Sequence, residues 1–201
     1  SVPFPNLMMP VLLESADART IVQKAEAGNG HLLLLTQRDP EQEKPRNGDF
    51  YTVGVITRVL KVLQLPDGNA SVMVQGRARA RIERFVRQQP HLVAKVVEVL
   101  DVPTPGKRTM AAYRRLRDSL QRIAQLNEQL GDDFATAVLN IETPAQLADF
   151  TGAYFLKDTA ERQAILETNE VGPRVEKALG SVLAELELAE LGKRIEGEIR
   201  Q

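Results

Sequence analysis

Apolar and polar positions alternate most regularly between Phe50 and Ile82. Val53, Val55, Leu60, Val62 and Leu63 are β-prone, Leu65-Pro66-Asp67-Gly68-Asn69 has turn chemistry, and Val72, Val74 and Gly76 resume the alternation. The pattern predicts a long β-hairpin. Pro66 presets φ for the first turn position, Asp67 can bond its own backbone, and Gly68 or Asn69 can adopt the left-handed conformation of a short loop. Upstream, Phe4 to Leu13 is a strand-like apolar run in which Pro5 and Pro10 require an edge or a bulge. Ser15 is placed to cap a helix running to about Ala27, with Gly28 as a left-handed stop and Ile21, Val22 and Ala25 facing the sheet. Leu32 to Thr36 reads as a strand buried on both faces, and the charged, turn-rich segment from Arg38 to Asp49 as an exposed loop. Arg81 to Arg87 and Leu92 to Val102 read as two more strands, so that six or so strands with one helix imply a small closed or half-closed barrel.

Pro103-Thr104-Pro105-Gly106 ends this regime, because beyond it the apolar period changes from 2 to 3.6. A domain boundary is expected there, separating residues 1–103, a β-rich barrel lobe, from residues 104–201, a helical bundle. Leu116, Leu120, Ile123 and Leu130 mark one face of a helix from about Thr109 to Gln129. Thr143-Pro144-Ala145-Gln146 supplies a cap, a first-turn proline and a capping box, and Asp158 with Glu161 repeats the logic. The last helix starts near Asn169 to Pro173 and carries Val175, Leu179, Val182 and Leu186. Leu188, Leu191, Ile195 and Ile199 then form an offset narrow seam among charged residues, the pattern of a protruding or coiled-coil arm.

Composition narrows the function more than the fold. A net charge of -1 argues against a protein dedicated to nucleic acid. The absence of cysteine excludes disulfides, thiolate zinc sites and cysteine nucleophiles, and fits a reducing compartment. The longest apolar runs, such as His31 to Leu35, are far too short to cross a bilayer, so a soluble cytoplasmic protein is expected, with no membrane partner. The chain opens at Ser1 and stops in mid-helix pattern at Gln201, as expected of a piece of a longer protein.

Catalytic patterns are missing. Gly28 and Gly30 lack the remaining spacing and the lysine of a phosphate loop, the serines have no nucleophile-elbow context, and His31 and His91 have no metal-ligand neighbours. No catalytic, cofactor-binding or metal site is expected. Two binding features stand out. Arg77, Arg79 and Arg81, followed by Arg84 and Arg87, point to one side of a strand, as a solvated face or an anion-binding one without interleaved aromatics. Met8, Met9, Leu12 and Leu13 are ordinary core residues or an adaptable apolar docking surface.

Phe50-Tyr51-Thr52-Val53-Gly54, Leu65-Pro66-Asp67-Gly68, Val72-Met73-Val74-Gln75-Gly76 and Ala78-Arg79-Ala80-Arg81-Ile82 resemble, in order and spacing, the amino-terminal domain of bacterial Lon proteases. The likeness extends upstream through Phe4-Pro5, Met9-Pro10 and Leu33 to Pro40, and downstream through Pro144 to Asp149 and Lys193-Arg194-Ile195. That family usually begins with one more strand, so part of the first sheet's pairing is expected to be absent. The resemblance implies an α+β fold, a PUA-like small β-barrel followed by a helical bundle with a long C-terminal helix. It implies a substrate-recognition and assembly domain of an ATP-dependent protease that is a homohexamer, with unfolded or damaged proteins as partners. ATP, Mg and the catalytic Ser-Lys dyad belong to downstream domains, so this chain is expected to be no enzyme itself. Met8, Met9, Leu12 and Leu13 become the candidate substrate-binding residues. A standalone Lon-domain protein and a PUA-like RNA-binding module are the alternative readings.

Overall fold

A computed structural model of the chain describes residues 1–200. The chain divides into two units, Ser1–Leu100 and Asp101–Gln201. The first contains β1 (Met8–Leu13), α1 (Ala16–Ala27), β2 (His31–Leu34), β3 (Val53–Gln64), β4 (Ala70–Arg87) and β5 (Val93–Glu98). All pairings are antiparallel, in the order β1-β4-β3-β2, and β5 continues along the edge of β4 that β1 uses nearer the hairpin turn.

Among the described residues no pairing joins β1 to β2, so the sheet is not closed into a full barrel. The reason lies in β4. At 18 residues it is three times the length of either β1 or β5, and the two partners share one edge instead of closing a ring. Arg81 to Arg87, expected as a separate strand, is therefore the far half of β4. The hairpin turn forms as its residues dictate: Leu65 N–H donates to the Asn69 carbonyl at 2.8 Å, and Gly68 has φ +85°. Ser15 caps α1 by accepting from Ala18 N–H at 3.0 Å. Gly28 ends that helix at φ -101° rather than in the left-handed region, because the chain reverses two residues later, at Gly30 with φ +76°.

The core of this unit is Leu13, Val22, Ala70, Val72 and Val74, with Met9, Val11, Ala18, Leu32, Leu34, Val59 and Val62 packed around it. Two glycines mark backbone contacts that no side chain permits. A Cβ on Gly76 would lie 2.0 Å from the Phe4 carbonyl oxygen, and one on Gly54 2.1 Å from that of Leu34. The amino-terminal segment thus lies directly on β4, with Val2 and Phe4 buried and Asn6 and Leu7 bonded to Gly76 at 2.9 and 2.8 Å.

The second unit is helical: α2 (Lys107–Leu126), α3 (Gly131–Asn140), α4 (Pro144–Phe150), a π-helical turn (Thr151–Phe155), α5 (Thr159–Glu167) and α6 (Val171–Ile199). Thr143 and Asp158 cap α4 and α5 through Gln146 and Glu161 N–H, as their sequences predict. Buried Leu116, Leu120 and Ile123 of α2, Val138 of α3, Leu147 of α4, Leu166 of α5 and Val175 of α6 supply its core. Arg174, fully buried, donates to Asp101 at 2.5 Å and to the Thr168 carbonyl at 2.7 Å, tying the start of α6 to the chain that enters the unit. A buried charge is tolerated only with such partners.

Candidate functional site

Register determines which candidate residues reach solvent. Opposed residues of antiparallel strands share a face, and alternate residues change face. On one face Met9, Val74 and Val59 align across β1, β4 and β3, as do Val11, Val72 and Val62. Helix α1 covers this face and closes the core. On the other face the rows are Met8, Gln75 and Arg58; Pro10, Met73 and Lys61; and Leu12, Ser71 and Leu63.

The four candidates therefore separate. Met8 is 55% and Leu12 49% exposed, whereas Met9 is partly buried and Leu13 is only 4% exposed. Leu13 belongs to the core, paired with Ala70 on the α1 side, so its assignment to a substrate surface is corrected. Met9 shares that face. In their place the outward rows contribute Pro10, Leu63 and half-buried Met73, while the bulged residue Leu60 is exposed beside them. These were missed because apolarity alone does not report facing. Pairing through the Pro66-Asp67-Gly68 turn was the signal that could have found them. The result is a mixed surface across three adjacent strands, in which these apolar side chains alternate with Gln75 and Ser71 of β4 and with exposed Arg58 and Lys61 of β3.

The arginine series also separates. Ile56 pairs with Ala78 and Thr57 with Gly76, so Arg77 is an extra, bulged residue. Beyond the bulge Arg79 lies opposite Val55 and is 3% exposed, while Arg77 and Arg81 are exposed. The three do not form one continuous solvated face.

Among the described residues no three His, Asp or Glu side chains come together as metal ligands. The depression beside Glu26, Gly28, Asn29, Gly30 and Arg58 is open and polar, unlike the enclosed apolar pocket that holds a small ligand. No helix among the described residues is long and apolar enough to cross a membrane.

Residues 1–183 match the family model described as the ATP-dependent protease La (LON) substrate-binding domain. This chain belongs to that family. It is 31% identical over its whole length to Lon protease 2 of Thermus thermophilus, 30% identical over 98% of its length to Lon protease 2 of Desulfotalea psychrophila, and 28% identical over its whole length to Lon protease of Escherichia coli. It spans 25%, 26% and 26% of those relatives, about a quarter of their length. The fold is that of the N-terminal domain of Mycobacterium avium complex Lon protease, with a TM-score of 0.75, 22% identity, and coverage of 90% of this chain and 92% of that one. The Lon-family chain thus combines an open sheet, a sheet face with exposed apolar side chains, and a helical unit.

Proposed function

We propose that this chain is the substrate-recognition and assembly domain of an ATP-dependent Lon protease, and that it holds unfolded or damaged polypeptide for degradation by the rest of the enzyme. Family membership supports the role. The observation that carries the mode of binding is the outward face of β1, β4 and β3, where Met8, Pro10, Leu12, Met73 and Leu63 stand opposite the α1-covered core, interspersed with Arg58, Lys61, Ser71 and Gln75. A receptor for unrelated clients gains little from fixed hydrogen-bond readout, whereas unbranched thioether and leucine side chains repack around different apolar segments. Binding is weak, because an extended client loses conformational freedom when held. The chain itself supplies neither a phosphate loop nor an activated nucleophile. ATP, Mg and peptide hydrolysis belong to other domains of a cytoplasmic homohexamer in this reading.

The test replaces Met8 and Leu12 with Ser together and compares binding of one reference protein in its folded form and in a permanently unfolded form. Wild type should prefer the unfolded form, and the double variant should lose most of that preference while melting at the wild-type temperature. An unchanged preference in a folded double variant would place recognition on another surface.

A further inference from the structure

The ribbon made by the far half of β4 with β5 carries a surface of opposite chemistry. Arg81, Arg84 and Arg87 are three residues apart, a spacing that would scatter them over both faces of a regular strand. Two bulges prevent this. Glu83 and Val86 are extra residues on β4, so Arg81 pairs with Val97, Arg84 with Lys95 and Arg87 with Val93. Val93, Lys95 and Val97 alternate along β5 and share a face, which places the three arginines and Lys95 together on it. Phe85 is paired with Ala94 and turns the other way, its ring 6.4 Å from that of Phe50.

All three arginines are exposed, and among the described residues none of their side chains makes a hydrogen bond or ion pair. The carboxylate of Glu83 is occupied by Lys95 at 3.1 Å. At the end of the ribbon the pKa of His91 is held below its ordinary value, first by desolvation and then by the charges of Lys24 and Arg87, with Asp17 acting in the opposite direction. The first unit carries 13 Lys and Arg against 10 Asp and Glu, so the three arginines lie in a unit without acidic excess, while Lys95 is neutralised by Glu83.

We propose that this ribbon face binds acidic segments of extended polypeptide, as a second client contact alongside the apolar sheet face. Successive arginines lie about 7 Å apart along the strand, two pairing steps of roughly 3.3 Å, which is also the spacing of alternate side chains in an extended peptide. Each guanidinium presents a fork that matches a carboxylate. Val93 and Val97 flank Lys95 on β5, opposite Arg87 and Arg81, and suit the apolar residues of such a segment. Single-stranded nucleic acid fits less well, because tight sequence-tolerant binding uses aromatic platforms for bases and the ribbon's only aromatic side chain faces away. The proposal takes from the preceding section only that polypeptide is the ligand.

The experiment uses the 201-residue chain and fluorescence anisotropy with three labelled probes: an extended Glu-Val repeat peptide, its Gln-Val counterpart, and a single-stranded oligonucleotide of equal length. The Glu peptide should bind roughly tenfold tighter than the Gln peptide at low salt, and the difference should shrink as salt screens the charges. Arg81→Gln/Arg84→Gln/Arg87→Gln should abolish the difference, and the corresponding triple Lys variant should restore most of it. If the Gln triple variant fails to fold by circular dichroism, Arg84→Gln alone is read for a partial loss. Equal affinity for the two peptides, or a preference that survives in the folded variants, would overturn the proposal. Tighter binding of the oligonucleotide than of the Glu peptide would overturn it in favour of nucleic acid. Met8→Ser/Leu12→Ser should leave the Glu-over-Gln preference intact, so a failure of the apolar-face reading and a failure of this one give different results.

Discussion

Met8 and Met9 are the same residue type, one position apart in one strand, and the molecule uses them oppositely. Met8 stands on the face that carries exposed Leu12 and Leu63, and Met9 packs against the core of Leu13, Val72 and Val74. Leu12 and Leu13 repeat the contrast. Apolar side chains stand on both faces, although the outward one also carries Arg58, Lys61, Ser71 and Gln75. What differs is cover: α1 lies over one, and on the other Met8, Leu12 and Leu63 remain exposed. Met8, Pro10, Leu12, Met73 and Leu63 gathered on one uncovered face suggest a docking role, since surface apolar residues scattered singly are ordinary.

The strongest way to break the comparison is to remove the sheet on which both faces depend. Gly76→Ala puts a Cβ within 2.0 Å of the Phe4 carbonyl oxygen, a backbone atom that cannot rotate away. The substitution must displace the amino-terminal segment with buried Val2 and Phe4, or shift β4. A loss of ~3 kcal/mol or more is expected, read as a fall in melting temperature of about 10 °C or more. A stable Gly76→Ala variant would mean that residues 1–7 do not lie on β4 in solution.

Single truncations on the two faces sharpen the contrast. Leu13→Ala opens a cavity under α1 and should cost about 2–4 kcal/mol. Leu12→Ala removes a half-exposed side chain from the bare face and should stay within about 0.5 kcal/mol. Urea titrations of the two variants decide the matter by their midpoints. Equal losses would show that something covers the outward face in solution.

Much of the fold was legible because its signals are local. Ser15, Thr143, Asp158 and Pro66-Asp67-Gly68 each act through their own backbone neighbours, and each does in the structure what its chemistry requires. Failures came where the cause is remote. No property of Leu13 itself says that α1 lies over it. The bulges at Arg77, Glu83 and Val86 depend on the partner strand, so the arginines could be read as a series but not assigned to faces. An open sheet and a closed one share the same strand patterns, and only pairing distinguishes them. The short helix α3 was also missed: Gly131 at φ +69° starts it, and Asp132 and Asp133 favour its first turn, but ten residues with one fully buried position give little periodicity.

The two halves of α6 provide a comparison inside a single element. Val175, Ala178 and Val182 are fully buried, whereas Leu188, Leu191, Ile195 and Ile199 are between 48% and 79% exposed. The offset of the apolar stripe near Leu186 coincides with this change, so the second half contributes helix without contributing core. Its described residues from Lys193 onward are all exposed, and the Lys193–Glu196 ion pair at 3.7 Å lies within the helix itself. Exposed pairs of this kind contribute little. Ending the chain after Gly192 should therefore shift the melting temperature by less than about 2 °C, because backbone that buries nothing can be removed without disturbing what remains. A fall of several degrees would show that the seam of Leu191, Ile195 and Ile199 is covered in solution, and that the arm is part of the folded unit rather than an extension from it.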